Sequence, residues 1–355
     1  MLPRVLLLSL AASRAIAGTS DHFILTRISS LAFARIDPIV KPGEVSGHVH
    51  NIMGGSCFSE TLNTPEQQAA CDCSSVIIGD DKSNYWAPAL YYHDANGTFS
   101  PILNGNRVYY FTKTPEVKPF PPGLRMISGM AMKRNASDPR SLGIRISCNH
   151  GKQKYFLPNG TSHPEGCRGV SMGMFFPSCG LASGDIDSPD HFSHMAWPQA
   201  HPGGGAEPFD DPNGLYCPDT HPIKYPTIFM EANYYLNAEQ PWHAGNPVIL
   251  SNGDESGLTY HADFVAGWTG TVLEDTIAQC GVGRGVGDKL ATCPPLAKSM
   301  NESATWYCRL QNRIPNEDVG FYRPLNDLPG CNPVWPSDGP DAKPACEEEN
   351  PPEFL

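Results

Sequence analysis

The chain has 355 residues, of which 25 are basic and 37 acidic, for a formal net charge of -12 with histidine neutral. That sign, without clustered Lys and Arg, argues against nucleic acid or an anionic membrane surface as a partner. Glycine and proline together supply 69 residues spread along the whole length, which excludes an architecture of long helices.

Arg4, the apolar run Val5 to Ala12 and the triplet Ala15-Ile16-Ala17 have the form of an export signal, residues 1–17, cleaved to leave Gly18 first. Losing Arg4 and Arg14 leaves 23 basic residues against 37 acidic ones, a net charge of -14. No later stretch approaches the roughly 20 apolar residues of a membrane helix. The acidic, Pro-containing end Glu347 to Leu355 has no anchor-attachment form, so no membrane anchor is expected. All 12 cysteines follow the cleavage point, and an even count in an exported chain reads as a disulfide framework. Cys71-Asp-Cys73 is spaced too tightly for a structural zinc pair. The four cysteines from Cys293 onward could pair among themselves, leaving eight for the preceding domain. Four sequons, at Asn96, Asn135, Asn159 and Asn301, mark candidate glycosylation sites.

Along the chain, His48 and His50 stand two apart on an extended segment and project to one side, as a metal-ligand or substrate-binding pair or as structural histidines beside a turn. Asp80 to Trp86 mixes charge with aromatics. Lys82, Tyr85 and Trp86 suit contact with sugar rings, or else Tyr85 and Trp86 are core. Short β-type runs then recur at 107–112, 126–132, 142–147, 173–176, 227–236 and 247–250. In the longest, Ile228, Met230, Ala232, Tyr234 and Leu236 share one face, and Glu231 points to the other.

Between Leu181 and Trp197 lie Asp187, Asp190, His191 and His194. On a helical turn the two histidines share a face with Asp187 one turn earlier, as a proton-transfer or cation-binding group. The plainer alternative is a capping turn whose carboxylates take free backbone N–H groups. Asn252-Gly253-Asp254 is a turn signal ahead of His261 and Asp263, which share a face if that segment is extended, and Trp268 follows. A helix is expected at 271–279, with Glu274 and Asp275 early, Gly281 just past its end and Val272, Leu273, Thr276 and Ile277 as its buried stripe.

These elements predict a mainly β, disulfide-bonded fold, a β-sandwich or jelly-roll-like domain over 18–294 with long loops and a few short helices. A Cys/Pro-rich acidic extension follows over 295–355.

Several segments carry a resemblance to a known family. They are Ala34-Arg-Ile-Asp-Pro-Ile-Val40 with Gly47-His-Val-His50, Asp81-Lys-Ser-Asn-Tyr-Trp-Ala-Pro-Ala-Leu-Tyr-Tyr92, Pro121-Pro-Gly-Leu-Arg-Met126, Phe175-Phe-Pro-Ser-Cys179, Asp187-Ser-Pro-Asp-His-Phe-Ser-His-Met-Ala196, and Leu250-Ser-Asn-Gly-Asp254 with His261-Ala-Asp-Phe264. Over about 33–280 the chain resembles the fungal secreted family catalogued as domain of unknown function 1996. The resemblance implies a fungal extracellular or cell-wall setting and no particular activity.

The leading expectation is a secreted protein that cuts a cell-wall polysaccharide as a hydrolase or lyase. Candidate catalytic residues are His48, His50, Asp187, Asp190, His191, His194, Glu231, His261 and Asp263. Lys82, Tyr85, Trp86, Arg125, Asp254 and Trp268 would bind substrate, with a divalent cation as the cofactor the pattern admits. The alternatives are a non-catalytic wall or adhesion protein and a His-bound metal protein. Gly169-Val170-Ser171-Met172-Gly173 has the Gly-x-Ser-x-Gly form but runs straight into the β-type stretch 173–176 where a nucleophile elbow needs a helix, and no His-Glu-x-x-His helix is present, which disfavours serine-hydrolase and common zinc-protease chemistry.

Overall fold

The computed structural model describes residues 21–152, 155–202 and 212–355. The expected export signal lies outside them. Ten strands form two five-stranded antiparallel sheets: β1 His22–Ile28, β2 Ala32–Ala34, β3 His50–Gly54, β4 Asn84–Pro88, β5 Asn104–Phe111, β6 Arg125–Gly129, β7 Ile144–Cys148, β8 Gly169–Phe175, β9 Thr227–Tyr235 and β10 His261–Val265. The first sheet runs β1-β5-β9-β8-β7 and the second β2-β3-β4-β10-β6. Two three-stranded sheets and short helices complete the mainly β fold.

Alternation places the strands as expected. Ile228, Met230, Ala232 and Tyr234 of β9 are buried and meet Tyr85, Met126 and Phe264 of the second sheet in one core, while Glu231 is half-buried on the far side. The second sheet is covered on its outer face as well. There Ile52, Trp86 and Val265 pack against Ile36, Ile39 and Phe58, with Leu310 and Phe354 of the C-terminal extension. Both faces of β3, β4 and β10 are therefore buried along their whole length, and the polar residues His50, Asn51, Asn84, His261 and Asp263 among them are conspicuous.

The helix spans Val272–Cys280 and buries Leu273, Thr276 and Cys280. The stretch 187–194 is not helical: Pro189 removes a donor, and His191 sits at φ 53°, a left-handed conformation that interrupts a right-handed turn.

All 12 cysteines are paired, but not by the partition expected. Cys57–Cys71, Cys148–Cys167, Cys179–Cys217, Cys280–Cys293 and Cys331–Cys346 close short loops, whereas Cys73–Cys308 spans 235 residues. Of the last four cysteines only one pair is internal. Cys293 closes onto the helix that precedes it, and Cys308 returns to the segment beside β4, because the extension packs on the second sheet instead of folding by itself.

A polar network pins the two sheets together inside the core. The Tyr85 hydroxyl donates to Asp81 Oδ2 at 2.7 Å and lies 2.5 Å from the Tyr110 hydroxyl of the first sheet, which accepts the Trp268 indole N–H at 3.0 Å. Burial pushes the Asp81 carboxyl up to about 6 against the hydrogen bonds it accepts. In the unfolded chain that group ionises near pH 4, so between about pH 4 and 6 the folded state holds the extra proton and unfolding free energy falls as pH rises. We expect Asp81→Asn to remove a slope worth about 3 kcal/mol at most over that window. Urea denaturation of both proteins from pH 4 to 7 checks it, and parallel stability curves would count against it.

Candidate functional site

Strand order decides which polar residues meet. His50 opens β3 and pairs with Pro88 of β4, and the β4–β10 register, continued by two residues from Asp263 opposite Trp86, brings His261 to the same level. Both imidazoles project from the outer face and lean toward each other over Pro88, joined by His48 from the preceding loop. Ring centroids are 4.4 Å apart for His48–His50, 4.9 Å for His48–His261 and 5.7 Å for His50–His261. One ring nitrogen from each of the three lies within 4.8 Å of the others, and all three residues are buried. Gly129 of β6 makes room beside them: at φ 87°, a Cβ there would stand 2.7 Å from the Cα of His261.

Two of the three tautomers follow from the partners. His50 Nδ1–H donates to the Ile36 carbonyl at 3.0 Å and His261 Nδ1–H to the Thr259 carbonyl at 2.9 Å, so each presents a bare Nε2. His48 Nε2–H donates to His261 Nε2 at 3.1 Å, a separation also close to the roughly 3.3 Å edge of a tetrahedron with metal–nitrogen bonds of about 2.0–2.1 Å. Carbonyls holding Nδ1 are the usual outer partners of metal-bound imidazoles. His50 Nε2 has no hydrogen-bond partner among the described residues. Burial pushes all three imidazoles down: His50 to about 3, His261 to about 4 with His50 contributing, and His48 well below its ordinary value with His50 and His261 contributing.

Carboxylates stand nearby. Asp263, two residues along β10 on the same face, has both oxygens buried without a hydrogen-bond partner among the described residues, and the buried indole N–H of Trp86 opposite it has none there either. Burial and then Asp37 push the Asp263 carboxyl well above its ordinary value. Asp37 is itself raised by burial, although it accepts the Val40 and Ile39 N–H groups and feels His261 and His191. Asp37 and the overlying Arg35 escaped the sequence reading. Asp37 stands there only within the motif 34–40 that carries the family resemblance, and nothing in its spacing points to His261.

The second cluster borders this face through Arg125 of β6. Its guanidinium donates to Asp187 Oδ2 at 2.6 Å, while Asp187 Oδ1 takes His191 Nδ1–H at 2.8 Å. Partial burial raises the Asp187 carboxyl, but these donors hold it below its ordinary range overall. His191 is thus held by an acid, whereas His194 is a strut: its Nε2–H donates to the Arg125 carbonyl at 2.7 Å and its Nδ1 accepts from the Ser188 hydroxyl at 2.9 Å. Asp190 takes the Ser193 and Phe192 N–H groups, as a capping turn does.

The remaining predicted residues lie elsewhere. Tyr85 and Trp86 are completely buried and offer no ring face to a sugar, because both sides of the second sheet are covered. Lys82 and Trp268 sit at the end of the sandwich, where burial lowers the Lys82 amine and Trp268 joins the inter-sheet network. Asp254 is buried and committed to Arg134, Ser256 and Thr259. Glu231 stands on the outer face of the first sheet, across the sandwich from the histidines, and accepts from the Tyr109 hydroxyl at 3.2 Å. Among the sequons Asn96 and Asn301 are exposed, and Asn135 and Asn159 are half-buried.

No helix among the described residues is long and apolar enough to cross a membrane. No curated protein and no solved structure matches the chain. One family description does match, over residues 37–268, a span that contains both His48 and His50, the Arg125–Asp187–His191 group, His261 and Asp263. The chain belongs to that family, described as a domain of unknown function (DUF1996).

Proposed function

We propose that this protein is an exported metal-dependent enzyme in which His48, His50 and His261 hold one divalent transition-metal ion. The observation that carries the reading is the convergence of three buried imidazoles, two of them fixed by carbonyls with Nε2 turned inward. Neutral imidazole suits zinc, copper, iron or nickel better than calcium. Such an ion acts as a Lewis acid and lowers the pKa of bound water. The six disulfides are consistent with an extracellular setting, where a wall polysaccharide is the substrate class and hydrolysis the reaction we assign. Arg125, Asp187 and His191 border the same face and support a polar substrate there.

A second reading has one observation in its favour. His50 is completely buried, which suits an ion that ties β3 to β10 without meeting substrate.

Elemental analysis of dialysed protein is expected to find one equivalent of a transition metal, lost in His50→Ala. Returning the ion at a hundredfold excess over Kd should raise the melting temperature of the stripped protein by about 4 °C. A wild-type protein that carries no metal, and whose melting does not respond to zinc, copper, iron or nickel, would sink the proposal. Mass spectrometry of wall-glycan digests then separates the two readings. A gain of water marks hydrolysis, and no product on any glycan leaves the ion as a structural tie.

A further inference from the structure

Across the sandwich from the histidines, the outer face of the first sheet carries a second unusual group of rings, half-buried at Tyr109, Phe111 and Phe175 and buried at Phe229. Two glycines of β8 are overlain by aromatic rings from β9. A Cβ at Gly173 would meet the Phe229 ring at 2.1 Å, and one at Gly169 would meet the Tyr235 ring at 3.5 Å. The glycines thus let rings lie against the sheet instead of standing upright. Phe175, Tyr109 and Phe111 continue the row, with centroids 4.4 Å (Phe175–Phe229), 5.6 Å (Tyr109–Phe229) and 6.1 Å (Tyr109–Phe111) apart.

Tyr235 also lines a groove of about 990 Å³ at the β1 edge of this sheet. Its wall includes Leu103 and Trp306, and these three large apolar side chains are 55–68% exposed. The lining also includes Asn104, Asn233 and Arg107. A bulge in β1, with Arg27 at φ 57°, brings one more guanidinium to the groove wall.

Flat rings next to amides and guanidinium groups match the two sides of a sugar, whose C–H face is apolar and whose hydroxyls need donors and acceptors. The lining charges nearly balance, with Arg27, Arg107 and Lys289 against Asp288 and Glu302, while the chain as a whole carries -12. That combination neither attracts a polyanion nor forms the basic patch that an anionic lipid surface needs.

We infer that this groove and the ring face beside it bind a neutral polysaccharide, with Tyr235 and Trp306 as stacking platforms. The inference shares its substrate class with the proposed function but uses none of the metal-centre residues.

Native affinity electrophoresis of enzymatically deglycosylated protein, through gels holding laminarin, glucomannan or polygalacturonate, tests it. The wild type should be retarded by at least one neutral polymer and not by polygalacturonate. Trp306→Ala and Tyr235→Ala should each weaken that retention by about tenfold while melting like the wild type. His50→Ala should keep it, so a failed metal centre leaves this result standing. No retardation by either neutral polymer, wild-type retention in both aromatic variants, or equal retention by polygalacturonate would overturn the inference. So would self-association through the groove, abolished by Trp306→Ala, without glycan binding.

Discussion

Asp254→Asn is expected to lower the unfolding free energy by about 3–5 kcal/mol, the usual cost of leaving one member of a buried ion pair without its partner. Asp254 and Arg134 are both buried, with the carboxylate 2.6 Å from Arg134 Nη2 and 2.9 Å from Nε. The same carboxylate accepts the Ser256 and Thr259 N–H groups and both hydroxyls, at 2.7–3.0 Å. An amide supplies one acceptor oxygen where these donors use two, and it leaves the guanidinium charge uncompensated. Arg134 reaches onward to the Trp335 and Pro336 carbonyls and lies 4.1 Å over the Trp335 ring, so the extension loosens with it. Thr259 also anchors His261 through its carbonyl, and metal stoichiometry should fall in the same variant. Chemical denaturation followed by tryptophan fluorescence measures the first effect and elemental analysis the second. A loss below 1 kcal/mol would show that the carboxylate does not organise this corner.

Removing the Cys73–Cys308 bridge by a double Ser substitution should cost about 5 kcal/mol, because its loop of 235 residues restricts the unfolded chain most. The same model gives about 3 kcal/mol for Cys331–Cys346, whose loop spans 15 residues. The ranking is the sharper test, since other bridges inside the long loop shorten its effective length. Equilibrium denaturation of the two double variants reads it directly, and a larger loss at Cys331–Cys346 would reverse the argument.

The sequence was legible where local rules act alone. Alternation placed β9 and the phase of Glu231, and Gly281 with an acidic first turn placed the helix at Val272–Cys280. Periodicity also put His48 beside His50, and His261 on one face with Asp263. What it could not supply was the strand order, β3-β4-β10, that carries His261 to the pair of histidines two hundred residues earlier. Tyr85 and Trp86 were misleading for a related reason. In a sheet covered on both sides, an aromatic beside charged residues is core, and only the packing of Phe58, Leu310 and Phe354 reveals the second cover. The disulfide partition failed similarly, because cysteine counting ignores where an extension lies in space.

That extension also separates two things usually treated as one, the stretch a family signature recognises and the stretch that holds itself together. A chain cut at 37 and 268 would keep every histidine of the centre. It would lose the β1 edge of the first sheet, the partner of Cys73, and Arg35 together with the Glu317 and Glu348 carboxylates that grip it. The Trp335 cover of Arg134 would go too. The recognised segment is the inside of this protein, and much of the surface that keeps it closed is written beyond the signature's borders.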